Sequence, residues 1–221
     1  MKRFLKGSAV LGLVLQLLSS CLFLPGVALA DDLDDGVAYY QKGEYKKAFG
    51  VLKRLAERGN PEAQFLLAEM YLTGKGIRID ERLAGKWMLK AAEDGHADAQ
   101  FAVGLFYRDG FGEFSQSYSR AFYWYEKAAR QGEMRAQLMM GQCYDEGTGV
   151  TLDRAEAVNW YRKAAEQGSA TAQFRMGKAF ELGDGAAVSA DEARLWYGRA
   201  AAQGNADAIE RLDAMSAPPG S

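Results

Sequence analysis

The sequence predicts an all-α solenoid of stacked antiparallel helix pairs, and three observations carry that prediction. The four Trp residues stand at 87, 124, 160 and 196, spaced 36 or 37 residues apart. Gly59, Gly95, Gly132, Gly168 and Gly204 recur with the same spacing. Between them, Ala63, Ala99, Ala136 and Ala172 each open a segment with an aromatic eight residues on: Tyr71, Tyr107, Tyr144 and Phe180. A fixed period of this length, with helical spacing inside it, marks one supersecondary unit stacked on copies of itself.

The first 30 residues read as a targeting segment. Lys2, Arg3 and Lys6 make a basic start, Ala9–Leu24 is an apolar run, and Val27–Ala30 ends in the small-x-small pattern that signal peptidase cuts. Cleavage is expected after Ala30, which makes the protein exported and periplasmic. The run is shorter than the roughly 20 residues a membrane span needs. A second reading is a lipoprotein anchored at Cys21, since Leu18–Cys21 has the order of a lipobox; against it stands the hydrophobic Leu22–Leu29.

Residues 31–60 read as an atypical, capping first unit. A short helix begins at Val37–Tyr40, Gly43-Glu44 makes a turn, and Tyr45–Arg58 makes a second helix. Repeat 1 (61–96), repeat 2 (97–133), repeat 3 (134–169) and repeat 4 (170–205) follow, then a closing helix over 206–217 and a tail, 218–221, that Pro218-Pro219 excludes from it. In each repeat the positions Ala+0, +4, +5 and +8 share one side at about 100° per residue, giving a first helix of about 11 residues. Glycine ends it, in the pairs 74/76, 110/112, 147/149 and 183/185. Asp80, Asp153 and Ser189 mark the start of the second helix, and Asp153-x-x-Glu156 and Ser189-x-x-Glu192 have the form of capping boxes. On that helix small Ala beside large Trp suits close packing, the indole filling the gap between units. Tyr71, Tyr107, Tyr144 and Phe180, with Trp87, Trp124, Trp160 and Trp196, form the expected repeat core.

These residues carry a resemblance. Ala-Gln-x3-Gly-x2-Tyr-x2-Gly-x-Gly, then Ala-x2-Trp-Tyr-x-Lys-Ala-Ala-x2-Gly, is similar to the Sel-one-like repeat (SLR) family within the tetratricopeptide-like superfamily; Ala136–Gly168 matches it nearly throughout. Phe180 in place of Tyr and Met88 after Trp87 are departures of packing. The resemblance implies a right-handed α/α superhelix whose first helices line a concave groove for protein partners. It also implies adaptor roles in envelope assembly, secretion, motility or signalling, including a regulator that masks a sensor kinase's periplasmic domain.

By that analogy the groove centres on Ala+2 and Ala+6. Phe65, Phe101, Leu138 and Phe174 form an apolar stripe, flanked by Glu69, Leu105, Gln142 and Lys178. The competing reading packs those rings against the neighbouring unit. A second candidate is the loop Gly110–Ser119, one residue longer than its equivalents, with Phe111, Phe114 and Tyr118; the competing reading tucks Phe114 where Ile77 and Val150 stand elsewhere.

Composition narrows the function classes. The whole chain carries a net charge of −2, and without the basic leader the balance becomes 24 Lys+Arg to 29 Asp+Glu, a net −5. That disfavours nucleic acid. Cys143 alone remains after cleavage, in helical register with core residues, and His96, the only histidine, lies in a turn and reads as plain surface. No nucleophile–base pair is spaced for catalysis, and relatives of the family credited with cell-wall or β-lactam hydrolysis carry a disulfide in each unit that this chain lacks. The Gly-x-Gly pairs follow helices rather than strands and fail as phosphate loops. The expectation is a non-enzyme without metal or cofactor, with an unidentified protein partner, no nucleic acid, no membrane span in the mature chain and possible self-stacking at solenoid ends.

Overall fold

The computed structural model describes residues 25–216, with side chains from Asp32 onward. The apolar leader and residues 217–221 lie outside the described residues, so the lipobox and tail readings do too. Eleven helices and no strand occur among the described residues. They are α1 (Pro25–Gln41), α2 (Tyr45–Glu57), α3 (Pro61–Thr73), α4 (Glu81–Glu93), α5 (Ala97–Asp109) and α6 (Tyr118–Arg130). Then come α7 (Met134–Glu146), α8 (Arg154–Glu166), α9 (Ala170–Leu182), α10 (Ala190–Ala202) and α11 (Ala206–Ser216). The first N-terminal helix is longer than the short one expected from Val37: it begins at Pro25 and runs through Ala30. No helix among the described residues is long and apolar enough to cross a membrane.

Each repeat is a helix pair, and its ends are fixed by local chemistry. The first helix of every repeat is 13 residues long, begun by a side chain that accepts the N–H three residues on: Asn60, His96, Glu133 and Ser169. Gly74, Gly110, Gly147 and Gly183 end these helices in the left-handed conformation. The second helices are capped by Asp80, Ser117, Asp153 and Ser189. Ser117 went unread in the sequence because the longer loop displaced it from register. Only the forward half of the expected capping boxes forms. The Asp153 and Ser189 N–H groups instead donate to the Tyr144 and Phe180 carbonyls at 2.9 Å, which closes the loop onto the first helix. Glu192 accepts from the Trp196 indole N–H at 3.1 Å.

Packing runs continuously along the array. Ala84, Ala91, Ala92, Ala121, Ala128, Ala157 and Ala164 are buried and let helices approach closely. Each Trp reaches back to the preceding unit: Trp124 packs with Met88, Ala91, Ala92, Ala99 and Val103, and Trp160 with Tyr125, Ala128 and Met140. Trp87 is half-buried against the N-terminal unit. Tyr71, Tyr107, Tyr144 and Phe180 are half-buried around the same clusters. The residue after Trp is the deeper anchor. Tyr125, Tyr161 and Tyr197 are 2%, 3% and 0% exposed, and each ring lies over the glycine at Ala+5, Gly104, Gly141 or Gly177, where a Cβ would collide with it. Repeat 1 exchanges both partners together, to Ala68 and Met88.

A polar ladder staples the units. Gln64, Gln100, Gln137 and Gln173 are buried and donate to the carbonyls of Ala56, Ala92, Ala129 and Ala165 at the end of the preceding helix. Gln131, Gln167 and Gln203 donate to the Oε1 of Gln100, Gln137 and Gln173 at 2.7, 2.8 and 2.8 Å. Repeat 1 has Asp94 at this position. A carboxylate only accepts, so Gln64 turns its amide N–H toward Asp94 at 2.9 Å, and its own Oε1 is left without a partner. Asp94→Gln restores the donor and gives it the Gly59 carbonyl, as Gln131 has the Gly95 carbonyl at 3.0 Å. It is expected to stabilise the fold by about 1 kcal/mol in urea denaturation; a loss of stability would contradict the ladder.

Candidate functional site: the first-helix face and its inter-repeat recesses

Residues at Ala+2, +6 and +9 of a helix fall on one side of it, because steps of four and three residues return to the same face. The predicted stripe and its flanks occupy that face, but the rings are not free. Phe65 stacks on His96 with centroids 4.5 Å apart. Phe101 lies beside Tyr125 and under the Arg135 guanidinium, 4.6 Å from the ring centroid. Phe174 leans on Tyr197, and Leu138 packs against the repeat 3 core. Phe65, Phe101, Leu138 and Phe174 are therefore half-buried, Phe101 and Phe174 against the second helix of their own repeat and Phe65 and Phe101 also against His96 and Arg135 at the start of the next, so they do not form an open apolar stripe. Of the flanking residues, Glu69 accepts from the Tyr40 hydroxyl at 3.2 Å, and Leu105 packs against the repeat 2–3 core. Gln142 and Lys178 line recesses between repeats.

The loop candidate is corrected in a similar way. Phe111 stacks on Phe106 with centroids 4.6 Å apart, and Phe114 meets Phe106 and Tyr107 at 5.3 and 5.0 Å. Phe114 reaches into the preceding repeat, where Gly85 leaves it room; a Cβ at Gly85 would stand 2.9 Å from the ring. Phe122, Val158 and Arg194 occupy the equivalent of Gly85 in the other repeats, so the missing side chain and the longer loop compensate each other. Only Tyr118 stays open, 46% exposed.

His96 is not plain surface. Its Nδ1 accepts the Ala99 N–H at 3.2 Å, and its Nε2 lies 2.9 Å from a Glu62 oxygen. The turn positions Asn60, His96, Glu133, Ser169 and Asn205 look unrelated as residue types, yet all supply an acceptor to the next helix. Cys143 is buried, and burial pushes its thiol up to about 11.

Two consecutive junctions present the same recess with different side chains. Between repeats 2 and 3 it is lined by Arg108, Tyr118, Tyr125, Met139, Gln142 and Glu146, among others, and holds about 70 Å³. Between repeats 3 and 4 the equivalent positions are Asp145, Arg154, Tyr161, Arg175, Lys178 and Leu182, and the recess holds about 50 Å³. The phenol at its floor is satisfied differently in each repeat. Tyr161 donates to Asp145 at 3.4 Å and Tyr197 to Glu181 at 2.6 Å, both at Ala+9. Repeat 2 has Arg108 there, turned away to grip Asp109 at 2.7 and 2.8 Å, and the Tyr125 hydroxyl is buried without a partner. Burial then raises the Tyr125 phenol far above its ordinary range. Tyr125→Phe is expected to leave stability unchanged or raise it by up to about 1 kcal/mol, while Tyr197→Phe lowers it by about 1 kcal/mol. Equal losses in both, measured by urea denaturation, would contradict this pairing.

Sequence reading missed these Tyr–acid pairs and the exposed loop residues Ile79, Leu152 and Val188. A comparison of Gly104/Tyr125 with Ala68/Met88 was the available signal for the first, and the shared period for the second.

Four copies of the Sel1 repeat model match the chain, over residues 61–96, 97–133, 135–169 and 170–205. Among solved structures, the chain is similar to a protective antigen of uropathogenic Escherichia coli with an SLR fold. The identity is 41% and the TM-score 0.72, over 76% of this chain and 36% of that one. It is similar also to a Sel1 repeat protein of Oxalobacter formigenes, 36% identical with a TM-score of 0.73, over 78% of this chain and 50% of that one. An F-box protein of Arabidopsis thaliana is 32% identical over 86 residues, 38% of this chain and 24% of its own length. The chain thus spans about a quarter of that relative, and half or less of the two solved structures. With four matched repeats covering more than half its length, the chain belongs to the Sel1 repeat family.

Proposed function

We propose that the protein is an exported, periplasmic, non-catalytic scaffold whose first-helix face receives a partner protein in envelope assembly, secretion, motility or signalling. Sel1 repeat proteins mediate protein–protein interaction, and their family is typically non-catalytic. One observation carries the reading for this chain. The skeleton of each repeat is held constant by Ala, Gly, Gln and Trp, while the recess-lining positions change from Arg108, Met139 and Gln142 to Asp145, Arg175 and Lys178. A constant frame displaying a variable face is what recognition of one particular partner requires. The state of the two residues nearest to catalytic types supports the same reading. Burial keeps the Cys143 thiol protonated near neutral pH, and His96 is occupied as a helix cap. The basic start, apolar run and Val27–Ala30 pattern support export.

Cell fractionation with N-terminal mass determination tests the location. A periplasmic protein beginning at Asp31 is expected; a lipidated Cys21 would make it membrane-anchored, and an intact leader in the cytoplasm would overturn export. For the scaffold role, affinity capture from envelope extracts is expected to return one dominant partner that Gln142→Arg releases. Hydrolysis of cell-wall fragments by purified protein, with no partner captured, would overturn it.

A further inference from the structure

We infer that the recess between repeats 3 and 4 binds a carboxylate of the partner protein, held between Arg175 and Lys178; this rests on the scaffold reading above. The recess gathers three cations, Arg154, Arg175 and Lys178, around two carboxylates, Asp145 and Asp184. Arg154 takes Asp184 at 3.2 Å and reaches Asp145 only at 4.0 Å. Arg175 stands 3.9 Å from Asp145, beyond good hydrogen-bond distance, and Asp145 already accepts from Tyr161. Lys178 has no carboxylate within ion-pair distance among the described residues. Glu181, one turn along α9, is taken by the Tyr197 hydroxyl and by Arg211 at 3.6 Å. The recess therefore holds one positive charge in excess, in a chain that is negative as a whole.

Arg175 and Lys178 are three residues apart on α9, which puts them on one face of the helix, and both line the recess. Both are half-buried, against walls of Val158, Tyr161 and Ala179 that are themselves buried. Low-dielectric walls strengthen a charge-assisted hydrogen bond relative to one on an open surface. The open recess has room for a carboxylate group between the two cations, and Leu182 at the rim, 61% exposed, is placed to meet the methylenes of an acidic side chain.

The preceding junction is a built-in control. Met139 and Gln142 stand where Arg175 and Lys178 do, the one cation, Arg108, is gripped by Asp109, and Glu146 sits where Leu182 does. That recess should refuse an anion.

The test is a methyl NMR titration of the purified protein, following Val158 and Leu182 with the Met139 methyl as reference. The probes are N-acetylglutamate α-amide, N-acetylglutamine α-amide and N-acetylalanine. The glutamate probe is expected to shift Val158 and Leu182 saturably, with Met139 unmoved. Binding is expected to be about tenfold weaker for the glutamine probe and in Lys178→Met, with circular dichroism showing that this variant stays folded. Arg175→Gln gives an independent second variant. Tighter binding of N-acetylalanine than of the glutamate probe would identify a C-terminal carboxylate as the source, and the reverse a side chain. The inference is overturned if the methyls do not move, if the glutamine probe moves them equally, if Met139 moves with them, or if both variants bind as the parent does. A partner captured from extracts that neither variant releases sinks this recess alone; a titration that succeeds with no partner captured sinks the scaffold reading instead.

Discussion

Trp124→Ala is expected to destabilise the protein by about 3–5 kcal/mol in urea denaturation, the range for removing a buried Trp side chain. The indole is 9% exposed and sits on α6 of repeat 2, yet most of what it touches belongs to repeat 1: Met88, Ala91 and Ala92. It also covers Ala99 and Val103 of its own repeat. Truncation therefore opens a void at the seam between two units rather than within one. A stacked array is held by the sum of such seams, so the transition should broaden as the N-terminal part uncouples from the rest. Trp87, half-buried against the atypical first pair, should lose less. A change under about 1 kcal/mol for Trp124→Ala would mean that the indole is not core and that the register built on it is wrong.

Gly149→Ala is expected to lower stability by about 2–5 kcal/mol, and Gly112→Ala by only about 1 kcal/mol. Both are second members of a Gly-x-Gly pair, and both have left-handed backbones, with φ of 77° and 55°. An L-residue is strained in either. Their surroundings differ. A Cβ on Gly149 would run into the Tyr118 carbonyl at the start of α6, backbone that cannot move aside. A Cβ on Gly76 would stand 2.6 Å from the Tyr45 Cβ, and one on Gly185 would likewise meet the Arg154 carbonyl. The second glycine is thus where each loop rests on the preceding unit's second helix. Gly112 sits in the longer loop, where an added Cβ would come no nearer than 4.0 Å to another segment, at the Glu81 carbonyl. Equal losses at the two sites, by the same denaturation assay, would show that conformation and not contact sets the cost.

The helix pairs, their period and the inward Trp were legible because packing repeats what the sequence repeats: a buried indole needs the same neighbours in every unit. Glycine at helix ends was legible for a comparable reason, since few other residues tolerate the left-handed cap. Chemistry that different residues can perform was not legible. Asn60, His96, Glu133 and Ser169 are four residue types doing one capping task, so His96 looked like the exception when it is a member. The face residues were harder still. Phe65, Phe101 and Phe174 lie at the outward positions of an isolated helix, but His96, Tyr125 and Tyr197, distant in sequence, close over the rings and leave them half-buried. The long loop read as a binding element, and its Phe114 is instead drawn inward by the absent side chain of Gly85, 29 residues earlier in a different helix. The recess between repeats 3 and 4 depends on side chains from three helices, a juxtaposition that no local pattern displays.

Site-specific photo-crosslinking in cells tests the central claim most directly. A photoreactive residue is placed at Gln142 or Lys178 on the first-helix face, and for comparison at Arg162 or Glu166, exposed on α8. The account predicts a discrete protein adduct from the first pair of positions and none from the second. Adducts from α8 alone would move the interaction to the second-helix face, and their absence at every position would contradict a scaffold that works by holding a partner protein.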